Sequence, residues 1–411
     1  MLVLAGGAAQ AAGLPYSLLE KGKRLVDAGD CQACHTQDKR KPFAGGRAIP
    51  TPFGTIYSAN ITPDRDSGIG GWTEDDFYRA MHEGVAPHGE RLYPAFPYPN
   101  FTKMTRDDVN AIRAYLMSLA PVGDRPPPNE LLWPLNHRIM MAGWNMLFFT
   151  PGEYKPDPQK SDAWNRGAYL VQGAGHCGAC HTPKNVFGAD KSGEDLRGAQ
   201  IQDWTAPSLA ANDRDGLGRW SKEDIVEYLK TGRNKLSGAT GLMAEVVVNS
   251  TSKMSDDDLN AIATYLKDTP PAPDTAPGAP TQEVVDAGKA IYNDSCAACH
   301  DTSGVGVPHM FPPLKDNAIA QQEDPSTVVR IILEGAMTAA TKERPTPSAM
   351  PAFAWKLSNE EIAAVATYVR NAWGNRASPV SASAVGKMRQ AINAEKAGPQ
   401  VAGSGVRINP R

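Results

Sequence analysis

The sequence has no apolar run of the length that a membrane-spanning helix requires, so the chain is not expected to cross a bilayer. It has no excess of basic charge. Its 42 Lys and Arg stand against 45 Asp and Glu, a formal charge of -3, which excludes nucleic acid as an expected partner. No cysteine is spare for a disulfide, because all 6 fall in pairs at 31/34, 177/180 and 296/299, each spaced Cys-x-x-Cys and followed at once by His. The start lacks the basic residues that open a secretory signal. MLVLAGGAAQA nevertheless has an apolar run and an Ala-x-Ala ending at Ala11. Residues 1–11 therefore read as the back half of a truncated signal peptide, with an ordinary Ala-rich terminus as the alternative. What remains is a soluble composition, 41% apolar and 21% charged over 411 residues, enough for two or three domains.

Aligned on its three cysteine motifs, CQACH, CGACH and CAACH, the chain shows an internal repeat. Each motif follows a short helical pattern with Gly and, three residues on, a large apolar residue: Gly22/Leu25, Gly167/Leu170 and Gly288/Ile291. Each repeat closes on a similar segment: KMTRDDVNAIRAYL, KMSDDDLNAIATYL and KLSNEEIAAVATYV. Ser or Thr with an acidic residue three places later predicts a helix start, and the acidic clusters fit the positive end of the helix dipole better than a binding patch. Tyr115, Tyr265 and Tyr368 then fall on the apolar face. The first two repeats also share GIGGWTEDDFYRAMHEG and GLGRWSKEDIVEYLKTG. Trp72 and Trp220 are thus equivalent, able to donate an indole N–H to a cofactor carboxylate or to pack in a core.

Two thiols three residues apart on one helical turn can each add across a vinyl group of haem while the adjacent His reaches the iron. Zinc and thioredoxin-like readings account for a lone Cys-x-x-Cys but not for three motifs that consume every cysteine. Three covalent haem c groups are therefore expected on Cys31 and Cys34, Cys177 and Cys180, and Cys296 and Cys299, with His35, His181 and His300 as iron ligands. The expected sixth ligands are Met350, in SAMPAFAWKL, and Met243, in GATGLMAEVV. Met254 is the rival to Met243, but it precedes a helix N-cap, where a hydrophobic staple is the plainer role. In the first repeat the position equivalent to Met350 falls at Phe96 or Pro97, neither of which can ligate iron. Met104 is the expected ligand there, against an open site or a histidine, His82 or His88.

These residues carry a family resemblance over roughly residues 17–376. KPFAGGRAIPTPFGTIYSANITPD, LYPAFPYPNFTKMT, RGAYLVQGAGHCGACHTP, LGRWSKEDIVEYLKTGRN and MPAFAWKLSNEEI resemble the trihaem cytochrome c subunit of bacterial membrane-bound dehydrogenases for alcohols, aldehydes, gluconate, sorbitol or fructose. The resemblance implies an electron relay on the periplasmic face of the inner membrane. Electrons would pass from a large catalytic subunit of quinoprotein, flavoprotein or molybdenum type, with a third small subunit as an option, to ubiquinone. It departs from family members that carry Met at Phe96 and from those that end in a membrane-spanning helix. A peroxidase-like haem enzyme and a free-standing electron carrier are the competing functions.

The expected fold is all-α, three tandem class I cytochrome c domains at 12–125, 160–270 and 281–376. Pro-rich PVGDRPPPNE and PPAPDTAPGAP mark the boundaries, the second giving a linker at 271–280. The stretch 126–159 reads as a linker bearing an apolar helix, with Leu135, Ile139, Ala142, Met146 and Phe149 at helical spacing in 131–149. That helix would lie on a membrane surface or pack against protein. Residues 377–411, rich in Ala, Gly and Ser, read as a flexible tail.

Overall fold

The computed structural model describes residues 15–273 and 277–397, so the expected signal segment at 1–11 lies outside the described residues. Among the described residues twelve helices have eight or more residues: α1 (Tyr16–Ala28), α2 (Glu74–Glu83), α3 (Arg106–Met117), α4 (Met140–Phe148), α5 (Asp162–Gln172), α6 (Lys222–Thr231), α7 (Gly241–Asn249), α8 (Asp256–Lys267), α9 (Gln282–Ser295), α10 (Ser326–Glu334), α11 (Asn359–Asn371) and α12 (Ala382–Ala397). The three closing segments start as their sequences predict. Thr105, Ser255 and Ser358 each accept a hydrogen bond from the backbone N–H three residues on, satisfying one of the orphan donors at the starts of α3, α8 and α11. The expectation of an all-α chain needs correction. Small antiparallel sheets join β1 (Ala48–Thr51), β2 (Gly54–Tyr57) and β3 (Glu130–Leu131), β4 (Ala199–Ile201) and β5 (Trp204–Ala206), and β6 (Ala336–Met337) and β7 (Ala349–Met350).

The described residues divide into two compact units, one holding 15–179 with Asn249–Met254, the other Cys180–Val248 with 255–273 and 277–397. In the first, α1 crosses α3 at Gly22. A Cβ built on this glycine would lie 2.0 Å from the Ala111 carbonyl oxygen and 2.9 Å from Tyr115 Cβ, so only hydrogen fits and the backbones meet directly. LYPAFPYPNFTKMT anchors in the core of this unit through Tyr98 and Met104, both 0% exposed. The expected linker at 126–159 is bound against this stretch: Tyr93 Oη donates to the Leu135 carbonyl at 2.8 Å and Tyr98 Oη to Asn145 Oδ1 at 2.5 Å. Helix α4 covers less than its apolar spacing suggests. Met141 and Asn145 face inward, while Ile139 (75%) and Met146 (81%), assigned to one face with Leu135, stand in solvent. The segment is apolar on every side, so its periodicity does not select a face; the Tyr98 hydroxyl that Asn145 satisfies does.

In the second unit α9 crosses α11 at Gly288, where a Cβ would lie 2.2 Å from the Ala364 carbonyl oxygen. Tyr292, Tyr368 and Trp373 pack ring to ring beside the crossing. Side chains and backbone of the second and third repeats interlock inside this unit. Arg214 donates to the Gln321 carbonyl at 2.8 Å while the Gln321 amide returns a bond to the Arg214 carbonyl at 2.9 Å. The expected flexible tail at 377–411 is corrected over its described part. Helix α12 buries Val385, Met388 and Ile392 in the same core as Tyr292, Ile362 and Tyr368. Arg330, on α10, is 4% exposed and pairs with Glu395 of α12, so the helix also neutralises a buried charge.

Candidate haem-attachment sites

The first Cys-x-x-Cys-His motif is one helical turn, Cys31–His35, whereas in the second and third the turn spans Gly178–His181 and Ala297–His300 and the first cysteine, Cys177 or Cys296, immediately precedes it. Burial pushes the Cys31 thiol up to about 12 and Cys296 up to about 11, the reverse of the lowered values that a redox-active Cys-x-x-Cys needs. Burial also lowers the three motif imidazoles, which keeps them neutral and able to bind metal.

One arrangement recurs around all three histidines. Nδ1 lies 2.6 Å from the Ala59 carbonyl in the first, 2.7 Å from Pro207 in the second and 3.1 Å from Pro312 in the third. Because a carbonyl only accepts, each neutral imidazole donates from Nδ1 and keeps the Nε2 lone pair free. In the same places a glycine N–H, from Gly45, Gly198 and Gly306, binds the histidine's own carbonyl at 2.7–3.0 Å. All three glycines have positive φ, at 73°, 86° and 60°. A Cβ there would strike the segment that offers the acceptor, 2.5 Å from the Ala59 oxygen and 2.8 Å from the Pro312 oxygen, so glycine is required twice over. The small sheets have a purpose here: β2 and β5 end just before Ala59 and Pro207, delivering those carbonyls to the rings. Paired thiols three residues apart, with an adjacent imidazole fixed in the Nε2-free tautomer, fit covalent haem.

The cytochrome c family model matches residues 19–120 and 285–373. Similarity extends further among whole proteins. The gluconate 2-dehydrogenase cytochrome c subunit of Pantoea cypripedii is 40% identical over 397 residues, covering 91% of this chain and 90% of that one. The cytochrome c subunit of alcohol dehydrogenase (quinone) from Gluconobacter oxydans is 40% identical over 413 residues, covering 95% and 86%. The fructose dehydrogenase cytochrome subunit of Gluconobacter japonicus is 36% identical over 400 residues, covering 90% and 82%. The chain belongs to the dehydrogenase cytochrome c subunits. Such a subunit passes electrons and does not itself oxidise the substrate, which sets aside the peroxidase-like reading.

The methionines of this cytochrome c subunit occupy different settings. Met350 ends β7, half-buried against the core of the third repeat, beside the start of its closing helix. Met243, on α7, packs against the buried cluster of Ala239, Val247 and Ala339. Met254 and Leu357, just before the N-caps of α8 and α11, are buried as staple residues, at 8% and 7% exposure. Met104 holds the equivalent place before α3, and its Cγ faces Gly173 closely enough that a Cβ there would lie 3.5 Å away. Phe96, which the repeat aligns with Met350, packs its ring on Phe101 at 5.4 Å. His82 stacks on Tyr78 at 4.8 Å, and His88 is exposed. Trp220 lies edge-on to Tyr228 at 5.3 Å, as a packing residue does.

Gly45, Gly198 and Gly306 and the three carbonyl acceptors were absent from the sequence-derived site. The glycines carried a usable signal in the first two repeats, where GGRAIP and RGAQI place Gly just ahead of a strand. The acceptors carried none, since every residue has a carbonyl.

Proposed function

We propose that this subunit carries three covalent haem c groups and relays electrons from a separate dehydrogenase subunit to ubiquinone at the periplasmic face of a bacterial inner membrane. The observation that carries the reading is the threefold recurrence of a motif imidazole tethered through Nδ1 to a carbonyl, on His35, His181 and His300. Haem supplies one-electron redox chemistry, and the chain's task is to hold each group and set its environment. Cys31/Cys34, Cys177/Cys180 and Cys296/Cys299 attach the groups, with Met243 and Met350 as the sixth ligands of the second and third. A quinone acceptor is supported by the name of the Gluconobacter oxydans relative.

Contact with the membrane is assigned to the surface around α4. Leu132, Trp133, Ile139, Met146 and Leu147 are 63–81% exposed there, and residues 131–152 contain His137 and Arg138 but no acidic side chain. Exposed Trp and aliphatic side chains beside cations suit a lipid interface. One preparation tests partner and membrane together. Affinity purification of the tagged chain from salt-washed, detergent-solubilised membranes should recover a larger subunit whose substrate reduces all three haems and whose electrons a ubiquinone analogue then removes. Trp133→Ser with Leu147→Ser should shift the chain toward the soluble fraction. Recovery only as a soluble monomer would sink the relay, and unchanged sedimentation of the double variant would sink the lipid surface.

Met104 is the proposed sixth ligand of the first haem. Its burial beside Gly173 favours a second reading, a purely packing methionine, and one variant separates them. Leu357 fills the equivalent place in the third repeat, so Met104→Leu should fold. Ligation then predicts that one haem in three becomes high-spin and binds carbon monoxide. A spectrum that stays fully low-spin and inert to carbon monoxide would leave Met104 as packing alone.

A further inference from the structure

Helix α1 ends at Ala28, and the first attachment motif begins three residues later at Cys31. The last carbonyls of a helix have no partner within it and need one from outside. Here they are taken by residues remote in sequence but in the same compact unit. Ser250 Oγ, 2% exposed, donates to the Ala28 carbonyl at 3.0 Å, and His176 Nε2 lies 3.1 Å from the Gly29 carbonyl. His176 immediately precedes Cys177, the first thiol of the second motif. Its ring stands edge-on to Phe101 at 5.5 Å, and its backbone is left-handed, φ 36°, a conformation that surrounding contacts must impose on a non-glycine residue. The approach is close on the main-chain side as well. A Cβ on Gly29 would lie 3.4 Å from Cys31 Sγ and 3.5 Å from the Ala174 carbonyl oxygen.

We infer that His176 is a positioning residue for electron transfer: its hydrogen bond to Gly29 holds the chain leading into Cys177 against the chain leading into Cys31, fixing the first attachment points of the two motifs relative to each other. A helix cap local to α1 would stabilise the helix equally well. A cap donated from beside the second motif does something further, because it makes the position of one attachment point depend on the other. Ser250 and the Lys253 ammonium, 3.5 Å from Asp27, brace the same helix end without touching the second motif's approach.

The inference rests on the three-haem relay proposed above, and the experiment keeps the two apart. His176→Phe keeps the ring and its contact with Phe101 but removes the donor. The purified variant should retain three haems by pyridine haemochrome assay and melt near the wild type. Electron exchange between the first and second haems, followed by stopped-flow or pulse radiolysis, should slow roughly tenfold or more, the scale on which small misplacements act. His176→Gln, which restores a donor, should recover much of that rate, and Ser250→Ala should leave it unchanged. An unaltered exchange rate in a fully loaded His176→Phe protein would overturn the inference. If His176→Phe loses haem, His176→Gln decides: wild-type exchange supports the role and slowed exchange with full loading refutes it. A wild-type protein with fewer than three haems would instead overturn the relay itself.

Discussion

Gly288→Ala is expected to lower the stability of the second unit by roughly 3 kcal/mol or more, the upper range for forcing extra volume into a packed contact. The added methyl would meet the Ala364 carbonyl oxygen at 2.2 Å and Tyr368 Cβ at 2.7 Å. The first of these is backbone, and the second is the stem of a ring locked against Tyr292 and Trp373, so neither can rotate away. Relief requires α9 and α11 to separate, which opens the interface holding Tyr292 at 0% exposure. For a unit of this size the loss corresponds to a fall in melting temperature of about 6–12 °C, measurable by calorimetry. Gly143→Ala is the control. It lies in α4 with no atom within 4 Å of the added Cβ, and it should be neutral or stabilising through helix propensity. A Gly288→Ala protein melting within a degree of wild type would show that the crossing has slack the geometry does not reveal.

Ending the chain after Val380 is expected to be more damaging. The deletion removes Val385, Met388 and Ile392, which are 0%, 7% and 4% exposed. At about 1.5–3 kcal/mol for each buried side chain the loss is roughly 5–9 kcal/mol as an upper bound. It also strips Glu395 from Arg330, leaving a cation at 4% exposure with Glu334 as its remaining carboxylate. Whole domains are stable by only about 5–15 kcal/mol, so the truncated second unit should fail to hold its fold. The measurement is the yield of haem-loaded protein together with trypsin resistance. Full loading and unchanged resistance would mean that α12 is dispensable.

The candidate attachment residues and the closing helices were legible because both are written in side chains: thiols three apart with a following imidazole for the first, Ser or Thr ahead of an acidic residue for the second. The glycine–tyrosine pattern of the repeats was legible as a pattern, and the structure supplies its cause at Gly22 and Gly288, where helices touch backbone to backbone. Helix α12 was missed for a compositional reason. Its Ala, Gly and Ser content suggests disorder, but Val385, Met388 and Ile392 recur at helical spacing, and three large apolar residues suffice when the face they cover already exists. The α4 segment failed in the opposite way, since apolar residues on every side say nothing of which face is covered. The β1–β2 and β4–β5 hairpins were missed because what they do is place carbonyls, and carbonyls carry no letter in a sequence.

The tether on each motif histidine has a consequence for how such a protein can change over generations. Its acceptor is a main-chain oxygen on Ala59, Pro207 or Pro312, which no substitution of those residues' side chains can delete. Imidazole basicity, and with it the electronic character of whatever the ring ligates, is thereby insulated from single codon changes at the acceptor. Variation must come instead through the turn glycines or the length of the hairpins, by insertion and deletion rather than replacement.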